Sequence, residues 1–534
     1  MKRLLMEDYV TTKEAFEWRL PDTFNFGGEV VDYWAEDKDR LALIWLNDKG
    51  EEKRFTFDDI KKRSNQLANL LTERGIGKGD RVIVMLPRLP EWQIATVACH
   101  KVGAVPIPCV TMLTEKDLSY RADHSGARAV ITTADNTHKF GDTFAAQISV
   151  GEAPGWIDFA QGCDSFSEEF VPVKMAACDP AVLYYTSGST GMPKGVLHAA
   201  RGLFVWRVSA WYWLTLTQND LMWCTADTGW SKAGTSILYG PWSCGSAVLF
   251  YDGAFDPRMR INLLEKYRVS VFCGAATELR QLAELDFEEL DLSSLRLTVS
   301  AGEAVNPEIV RSWKEKTGSD LLDGYGQTET LMTIVNYPCM PVKPGSMGKP
   351  LPGTEAAILD EDGNLLGPEE VGRLVIDADN PQIMLEYSGD PEKTAANYLM
   401  ADGKRWYVTG DTARMDADGY IFYEGRDDDV INSSGYRIGP VEVESVVMEH
   451  DAVLECAAVA SPDPTRGETV KAFIVLKEGV TGDEKLAKEL QDFTKSQTAP
   501  YKYPRKIEFV TSLPKTVTGK IQRRILKARE FGNE

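Results

Sequence analysis

Short apolar runs alternate with amphipathic helical patterns through most of this 534-residue chain. Residues 81–86 read RVIVML and predict a short buried strand, and residues 91–103 follow with helical periodicity. Further strand-like runs lie at 105–108, 129–132, 181–185, 221–225, 247–251 and 269–273. Strands that alternate with helices form parallel βα units, so the pattern predicts an α/β fold with parallel sheets flanked by helices. Ligands of such sheets bind at the carboxyl ends of the strands.

The final part of the chain has a different pattern. Helical segments and strand-like runs are mixed at 441–449, 455–460, 469–476, 483–495, 506–510 and 521–531. This mixture is typical of a compact α+β module, and the polar run RDDDVINSSG at 426–435 precedes it. We therefore predict a large N-terminal domain of residues 1–425 and a small C-terminal domain of residues 426–534.

Composition excludes several classes of function. The chain has 59 Lys and Arg against 80 Asp and Glu, a net charge of −21. Nucleic-acid binding depends on neutralising phosphates with basic side chains, so we expect no nucleic-acid partner. The nine cysteines are scattered without a C-x-x-C pair, which favours reduced thiols over a disulfide framework. The five histidines form no H-E-x-x-H, so a metal site of His and Cys ligands is not expected.

The N-terminal residues predict the compartment. They contain no apolar stretch of signal-peptide length, and Glu7 and Asp8 are atypical of a mitochondrial transit peptide. No stretch approaches the roughly 18 apolar residues that a transmembrane helix requires, so no integral membrane segment is expected. The sequence therefore predicts a cytoplasmic protein.

The most informative local motif is TSGSTGMPKG at residues 186–195, directly after a strand-like run. Glycines let backbone N–H groups approach a phosphate, hydroxyls donate hydrogen bonds, and Lys194 supplies a cation. The spacing does not match the Walker A loop. A Gly/Ser loop alone is more often a polar surface loop, but this residue order after a strand favours polyphosphate binding.

Four further motifs follow in order: GYGQTE at 324–329, WYVTGD at 406–411, GRDDDVINSSGYRIGPVEVE at 425–444 and PKTVTGKIQRR at 514–524. Together with the first motif they resemble the adenylate-forming (ANL) superfamily, which includes acyl-CoA synthetases, peptide-synthetase adenylation domains and luciferases. The resemblance covers essentially the whole chain. It implies that the protein uses ATP with Mg²⁺, and coenzyme A as a substrate. The partner to be activated would be a small-molecule carboxylic acid.

The resemblance also implies an ATP site and catalytic residues. Tyr325 would pack against the adenine, Thr328 would contact the α-phosphate, Glu329 would hold Mg²⁺ and Asp411 would bind the ribose hydroxyls. Lys520 would be the catalytic lysine, acting with Thr328 and Glu329. Taken singly, these motifs would be a polar turn, a buried structural Asp and a solvated lysine. The implied contacts to ATP or AMP are Thr186, Ser187, Gly188, Ser189, Thr190, Gly191, Lys194, Gly302, Glu303, Ala304, Asp323, Gly324, Tyr325, Gly326, Gln327, Thr328, Asp411, Arg426, Arg437 and Lys520.

The junction motif resembles the family's hinge and its coenzyme A loop. Asp428 matches the hinge about which a mobile C-terminal lid would rotate, a role that a charged linker is able to serve. The implied coenzyme A step would involve Ser434, Gly435 and Tyr436. In this interpretation the lid presents Lys520 for adenylation and then turns to admit the thiol.

The implied acyl pocket has Trp230, Gly274, Gly302 and Gly326 along its walls. This sequence departs from the family pattern at Ala304 and at Ala276, where the family usually has proline. In acetyl-CoA synthetases the second motif resembles W-W-Q-T-E, and its second tryptophan stands where this chain has Gly326. We therefore predict a deeper pocket for medium-chain or short branched acids, and we expect a Gly326→Trp substitution to fill it and favour acetate.

The predicted function is that of an AMP-forming acyl-CoA synthetase of medium-chain type. An aryl-CoA ligase and a stand-alone adenylation enzyme that loads a carrier protein are the alternatives. A binding or sensor protein derived from the same fold would have lost the catalytic groups, whereas this chain retains Lys520, Glu329 and Asp411. The sequence leaves the oligomeric state open, a homo-oligomer included.

Overall fold

We describe the protein from a computed structural model. The structure describes residues 3, 5–186, 192–287, 290–302, 305, 307–426, 429, 431–433, 436–463, 467–498, 502–516 and 520–532. Within these residues the helices α1 to α17 are Tyr9–Ala15, Asp32–Trp34, Phe57–Glu73, Pro90–Val102, Glu115–Ser125, Phe159–Asp164, Ala200–Val205, Arg207–Tyr212, Ser231–Ala233, Gly240–Ser243, Pro257–Lys266, Ala276–Ala283, Pro307–Thr317, Pro391–Ala396, Pro440–Met448, Glu484–Gln497 and Arg523–Phe531.

The strands β1 to β27 of the described residues are Leu41–Asn47, Glu52–Thr56, Arg81–Met85, Val105–Pro108, Ala129–Thr133, Ala146–Val150, Ile157–Asp158, Pro180–Thr186, Lys194–Ala199, Leu221–Cys224, Ala247–Asp252, Val271–Cys273, Leu297–Ala301, Asp320–Gln327, Leu331–Val335, Ser346–Pro350, Ala356–Leu359, Val371–Asp377, Glu386–Tyr387, Tyr398–Ala401, Lys404–Met415, Ile421–Arg426, Ile431–Ser433, Tyr436–Ile438, Val453–Asp463, Gly467–Leu476 and Lys506–Phe509. Two π-helical turns, Gly27–Val31 and Gly234–Tyr239, accompany them.

The largest sheet has 14 strands and two halves of different character. In one half, β1, β11, β10, β12, β13 and β14 are parallel neighbours. In the other half, β15, β16, β22, β21, β18 and β17 continue the sheet with antiparallel pairing. A separate five-stranded sheet of β4, β3, β5, β6 and β7 is parallel throughout. The predicted parallel sheets are confirmed, and the antiparallel half is an addition.

The C-terminal part has its own sheet and core. Strands β24, β23, β26 and β25 pair antiparallel, and β27 joins β26 in parallel. Ile431, Val447 and Leu490 are fully buried beneath this sheet. The predicted fold class, a large α/β domain with a small α+β domain after it, is confirmed. Strand β22 belongs to the large sheet and ends at Arg426.

Local signals explain where individual helices start and stop. The Thr56 hydroxyl accepts from the Asp59 amide while the Asp59 carboxylate accepts from the Thr56 amide, and this capping box begins α3. Helix α4 has Pro90 in its first turn and ends at Gly103, whose φ of 75° closes the last turn. None of the helices in the described part of the chain combines the length and apolarity of a bilayer span.

A buried lysine ties the N-terminal elements together. The Lys101 side chain on α4 is fully buried, and its Nζ donates to Asp32 Oδ1 at 2.7 Å and to Asn65 Oδ1 at 2.6 Å. These partners lie on α2 and α3, so one ammonium group joins three helices. Burial lowers the pKa of Lys101 to about 8, while the neighbouring Asp32 carboxylate opposes that shift. The ion pair therefore orients these helices, at the expense of taking two charges out of water.

We expect Lys101→Met to lower the free energy of unfolding by about 3–5 kcal/mol, because it leaves Asp32 buried without its counter-charge. Urea unfolding followed by tryptophan fluorescence measures the change. Adding Asp32→Asn to the Lys101→Met variant should recover part of the loss. A loss below about 1 kcal/mol, typical of an exposed pair, would show that the pair does not hold the helices.

Candidate active site

The predicted phosphate loop joins two strands of a small antiparallel sheet. Thr186 ends β8 and Lys194 begins β9, and the two residues are register partners. The Lys194 ammonium lies 5.0 Å from the centre of the Tyr387 ring. Burial and then the nearby Lys393 lower the pKa of Lys194, while Glu329 acts in the opposite direction. The base of the loop thus carries a partly desolvated cation.

Glu329, the predicted magnesium ligand, lies beside this cation. The Tyr387 hydroxyl donates to Glu329 Oε1 at 2.8 Å, and the Met384 amide donates to the Glu329 carbonyl at 2.8 Å. Burial and then the Glu329 carboxylate raise the pKa of Tyr387 well above its usual range, so the phenol stays a donor. The carboxylate is therefore held in place next to Lys194.

Asp411 is the centre of the second predicted cluster. Its carboxylate is 3% exposed and accepts from the Tyr325 hydroxyl and from Gln327 Nε2 at 2.6 Å. Arg426 Nη1 lies 3.2 Å from Asp411 Oδ1 across the β21–β22 pair. Burial raises the pKa of Asp411, and Arg426 and the two hydrogen bonds oppose that effect. The structure thus brings together four predicted residues from β14, β21 and β22.

Thr328 is fixed by two residues that the sequence did not indicate. The buried His198 donates from Nε2 to the Thr328 carbonyl at 2.7 Å, and Ser231 Oγ lies 3.4 Å from Thr328 Oγ1. Burial lowers the pKa of His198 to about 4, so the ring is neutral at pH 7. His198 lies on β9, four residues after Lys194, and it therefore links the phosphate loop to the GYGQTE segment.

The predicted acyl-pocket residues lie where parallel strands end. Gly274 follows β12, Gly302 follows β13 with a φ of 97°, and Trp230 is half-buried at the start of α9. Lys232, which the sequence did not indicate, reaches between the strand ends, with its Nζ 3.2 Å from the Ala301 carbonyl and 3.5 Å from the Gly274 carbonyl. In the sequence, Lys232 could have been noticed as a charged residue two positions after Trp230, in a segment of mostly small residues.

Two titratable groups near these strand ends have shifted pKa values. Burial raises the pKa of Asp323 to about 7, against backbone hydrogen bonds that favour its charge. For Lys232, burial alone would lower the pKa, but Cys273, Cys224, Glu278 and Asp323 together raise it. Perturbed groups of this kind concentrate at functional sites, which supports the predicted position of the pocket.

Gly326 does not have the surroundings that the sequence suggested. A Cβ at this position would lie 2.0 Å from the Leu331 carbonyl oxygen and 2.9 Å from Met332 Cα, both backbone atoms of β15. The β14–β15 register shifts between Tyr325 and Gly326, which brings the two backbones together there. The expectation that a Gly326→Trp side chain would fill a cavity is therefore wrong, because the side chain would start inside the neighbouring strand.

Lys520 is exposed on the C-terminal part. Its amide donates to Thr516 Oγ1 at 3.2 Å, and the Thr516 amide donates to the Lys520 carbonyl at 2.8 Å. Tyr436 and Arg437 are backbone positions of β24, in register with Ser433 and Asn432. The predicted residues that lie outside the described part are Ser187, Gly188, Ser189, Thr190, Gly191, Glu303, Ala304, Asp428, Ser434 and Gly435.

The donors present fit magnesium carried by a nucleotide. In the described residues no group of three or more His, Cys, Asp or Glu side chains is arranged to hold a metal ion. Mg²⁺ with phosphate ligands needs only one or two carboxylates and completes its shell with water. The single carboxylate of Glu329, oriented by Tyr387, meets that requirement.

Comparison with known proteins found relatives along the whole chain. The AMP-binding enzyme family matches residues 31–388, and its C-terminal domain matches residues 442–520. The mitochondrial acyl-coenzyme A synthetase ACSM3 of Rattus norvegicus is 41% identical, covering 99% of this chain and 96% of the relative. The mitochondrial acyl-coenzyme A synthetase ACSM5 of Homo sapiens is 42% identical, covering 96% and 92%. A crystal structure of the anthranilate CoA ligase AuaEII with anthranoyl-AMP has a TM-score of 0.86 at 30% identity, covering 96% and 98%.

The prediction of a cytoplasmic location is wrong. It is contradicted by the relatives ACSM3 of Rattus norvegicus and ACSM5 of Homo sapiens, both of which are mitochondrial proteins. The acidic residues Glu7 and Asp8 misled the prediction. A compartment is selected by a targeting machinery that reads a segment separate from the fold, so composition near Glu7 and Asp8 does not determine it.

We expect Gly326→Ala to lower the free energy of unfolding by about 1–3 kcal/mol, as overpacking against rigid backbone does. Gly326→Trp should reduce folded yield and activity toward every acid tested, without a shift of preference to acetate. Gly77→Ala is the matched control, because a Cβ there meets no atom within 4 Å. A stable Gly326→Trp enzyme that prefers acetate would contradict this assignment of the β14–β15 contact.

Proposed function

We infer the function from the premise that this chain belongs to the AMP-binding enzyme family. It is an ATP-dependent acyl-CoA synthetase, and the predicted superfamily and enzyme class are confirmed by relatives that span nearly all of the chain. The reaction consumes a small carboxylic acid, ATP and coenzyme A, and gives acyl-CoA, AMP and pyrophosphate through an acyl adenylate. The observation that carries the assignment is that one short segment joins two clusters: Gln327 donates to Asp411, and two residues later Glu329 accepts from Tyr387, whose ring faces Lys194.

In the proposed site, Asp411 binds the ribose. A carboxylate accepts from two vicinal hydroxyls only if its orientation is fixed, and Tyr325, Gln327 and Arg426 fix it. Tyr325 also offers its ring to the adenine. Asp323 and the backbone at Gly324 contact the adenine edge, together with the predicted Gly302, Glu303 and Ala304.

The triphosphate lies on the loop at residues 186–194. Lys194 and the hydroxyls of the loop neutralise and orient the β- and γ-phosphates. Thr328, held by His198 and Ser231, donates to the α-phosphate. Bound Mg²⁺ supplies further neutralisation of phosphate charge, and Glu329 is the side chain that would hold it.

The first half-reaction is an in-line displacement at the α-phosphorus. A carboxylate oxygen of the acid forms the new P–O bond, and the bond to pyrophosphate breaks. Both the nucleophile and the phosphate are anionic, so a cation that bridges them lowers the barrier. We assign this role to Lys520, which arrives with the C-terminal domain. Arg426 and Arg437 add positive charge along the phosphates.

The second half-reaction needs a different arrangement of the C-terminal domain. In the proposed sequence, residues 426–534 form a lid that rotates about Asp428 and withdraws Lys520. The segment with Ser434, Gly435 and Tyr436 then guides the coenzyme A thiol to the acyl carbonyl. The thiolate sulfur forms the thioester bond, and AMP leaves with the bonding electron pair. A homo-oligomer is compatible with this scheme, and sedimentation velocity decides between it and a monomer.

The proposed acid is medium-chain or short and branched. The proposed pocket is bounded by Gly274 and Gly302, at the ends of β12 and β13, and by Trp230, just before α9, and Gly326 contributes no side chain to close it. An aryl-CoA ligase is the second candidate, favoured by the 30% identity and TM-score of 0.86 to the anthranilate CoA ligase. A stand-alone adenylation enzyme that loads a carrier protein would differ in its acceptor.

A panel of acids tests the assignment. We expect coenzyme A-dependent AMP release with acids of about six to ten carbons or with a branch, at a higher kcat/KM than with acetate. Because each buried methylene discriminates by only ~1–3 kcal/mol, the preference should be graded. Higher kcat/KM with benzoate-type acids would favour the aryl ligase. Release of AMP that requires a carrier protein in place of coenzyme A would overturn the synthetase assignment.

Lys520→Ala separates the two half-reactions. Acyl-AMP formation, measured as pyrophosphate release, should fall by about 10²-fold or more, because the bridging charge is lost. Thioester formation from supplied acyl-AMP should stay near the wild-type rate. Lys527→Ala, a change to a neighbouring basic residue of α17 with no proposed role, is the control. Equal loss in both half-reactions would refute the role of Lys520.

A further inference from the structure

A carboxylate on the C-terminal part bridges two cations from different regions of the molecule. Glu455 lies near the start of β25, and its Oε1 accepts from Arg280 Nη2 at 3.1 Å. The same side chain accepts from Lys515 Nζ at 2.7 Å and 2.9 Å, one contact to each oxygen. Arg280 also donates from Nη1 to the Leu454 carbonyl at 3.3 Å. This triad of Arg280, Glu455 and Lys515 therefore joins α12 of the large domain to the C-terminal domain.

Lys515 belongs to the turn that carries Lys520. Lys515 and Ile521 form an antiparallel bridge, and the Gln522 amide donates to the Pro514 carbonyl at 2.8 Å. The side chain of Gln522 also donates to the Lys515 carbonyl at 2.7 Å. A contact that holds Lys515 thus restrains the backbone on both sides of Lys520. Glu455 lies on β25 of the C-terminal sheet, and its contact with Lys515 restrains the position of this turn.

Arg280 belongs to the helix that starts at the acyl pocket. Helix α12 follows β12 directly, after Gly274, whose carbonyl faces Lys232. Glu278 on the same helix is hydrogen-bonded to Thr225 at the end of β10 and paired with Arg260 at 3.0 Å. The helix is therefore fixed to the strand ends where the acid is proposed to bind. Arg280 lies one turn after the start of this helix, so its position is fixed as well.

The three side chains are 16–33% exposed, so solvent screens them less than a surface pair. Loss of the carboxylate charge would leave Arg280 and Lys515 as two like charges without the anion that they share. The hydrogen bonds from Lys515 and Arg280 lower the pKa of Glu455 against the effect of burial, so it is ionised at neutral pH.

We propose that Glu455 is a positioning residue for adenylation: it docks the Lys520 turn onto the large domain through Lys515 and Arg280. The inference rests on the proposed function, since only a two-step ligase has a half-reaction that needs Lys520. The triad places this turn beside α12, the helix that begins after Gly274, and we assign this orientation of the lid to adenylation. In the thioester-forming orientation the Arg280–Glu455 contact is broken, and the triad contributes nothing to that step.

Half-reactions of the full-length enzyme test the proposal. Glu455→Gln and Arg280→Ala should each slow acyl-AMP formation by about 10- to 100-fold, the cost of misplacing a catalytic group by roughly an ångström. Both variants should transfer acyl groups from supplied acyl-AMP to coenzyme A at the wild-type rate. Arg280→Lys should retain most of the adenylation rate. The double variant should be no slower than the worse single variant, because the two residues act through one contact.

Matched controls separate positioning from folding. Lys488→Ala removes an exposed ion pair within the lid, and Lys314→Ala removes one on the large domain, and neither should change either half-reaction. Thermal unfolding of each variant reports its stability. If Glu455→Gln does not fold, Arg280→Ala on the other side of the contact carries the test alone.

Three outcomes would overturn the inference: equal loss in both half-reactions, a loss confined to acyl transfer, or no loss in either. The proposed function is judged separately, on the wild-type enzyme. Absence of coenzyme A-dependent AMP release with every acid would refute that function. A wild-type enzyme that is active, with Glu455 variants that show no split between half-reactions, would refute only the role of Glu455.

Discussion

A carboxylate buried from water must be paired or hydrogen-bonded, and Asp411 meets this requirement with groups from two other strands. Tyr325 and Gln327 reach it from β14, and Arg426 reaches it from β22, the last strand before the junction. Strand β14 is also the point where the large sheet changes from parallel to antiparallel pairing. The ionic and hydrogen-bonded contacts of one side chain therefore join the point where the sheet changes character, the proposed nucleotide site and the start of the proposed lid.

Much of the fold was predictable because its determinants are local. The apolar run at 81–86 and the helical pattern at 91–103 correspond to β3 and to α4, with Pro90 and Gly103 at its ends. Parallel pairing follows from that alternation. The antiparallel half of the large sheet was not predicted, because its pairings join β16 to β22 and β18 to β21 across long sequence separations. Periodicity records which face of a strand is buried and not which strand lies beside it.

The candidate site was indicated by ordered motifs and their resemblance to a family, because residue type alone would have indicated only polar turns and structural charges. Lys194, Glu329 and Asp411 stood out as charged groups in fixed motifs, and the structure puts each among partners that restrain it. His198 and Lys232 were missed, because a lone polar residue in an apolar segment has no pattern of its own. Their importance lies in contacts to Thr328 and to the Ala301 carbonyl, which exist only after the chain has folded.

The close approach of β14 and β15 at Gly326 has a consequence for how enzymes of this shape diversify. If Gly326 is part of the proposed acyl pocket, the depth there is set by where two main chains touch, and a side chain does not fit between them. A lineage that shortens its substrate here must first change the bulge between Tyr325 and Gly326, and so needs concerted substitutions on both strands. Trp230 lies outside the sheet, just before a short helix, so we expect single substitutions there to be accommodated more easily. We therefore expect the substrate range to change in small steps through substitutions at Trp230, and to change at Gly326 only through several substitutions together.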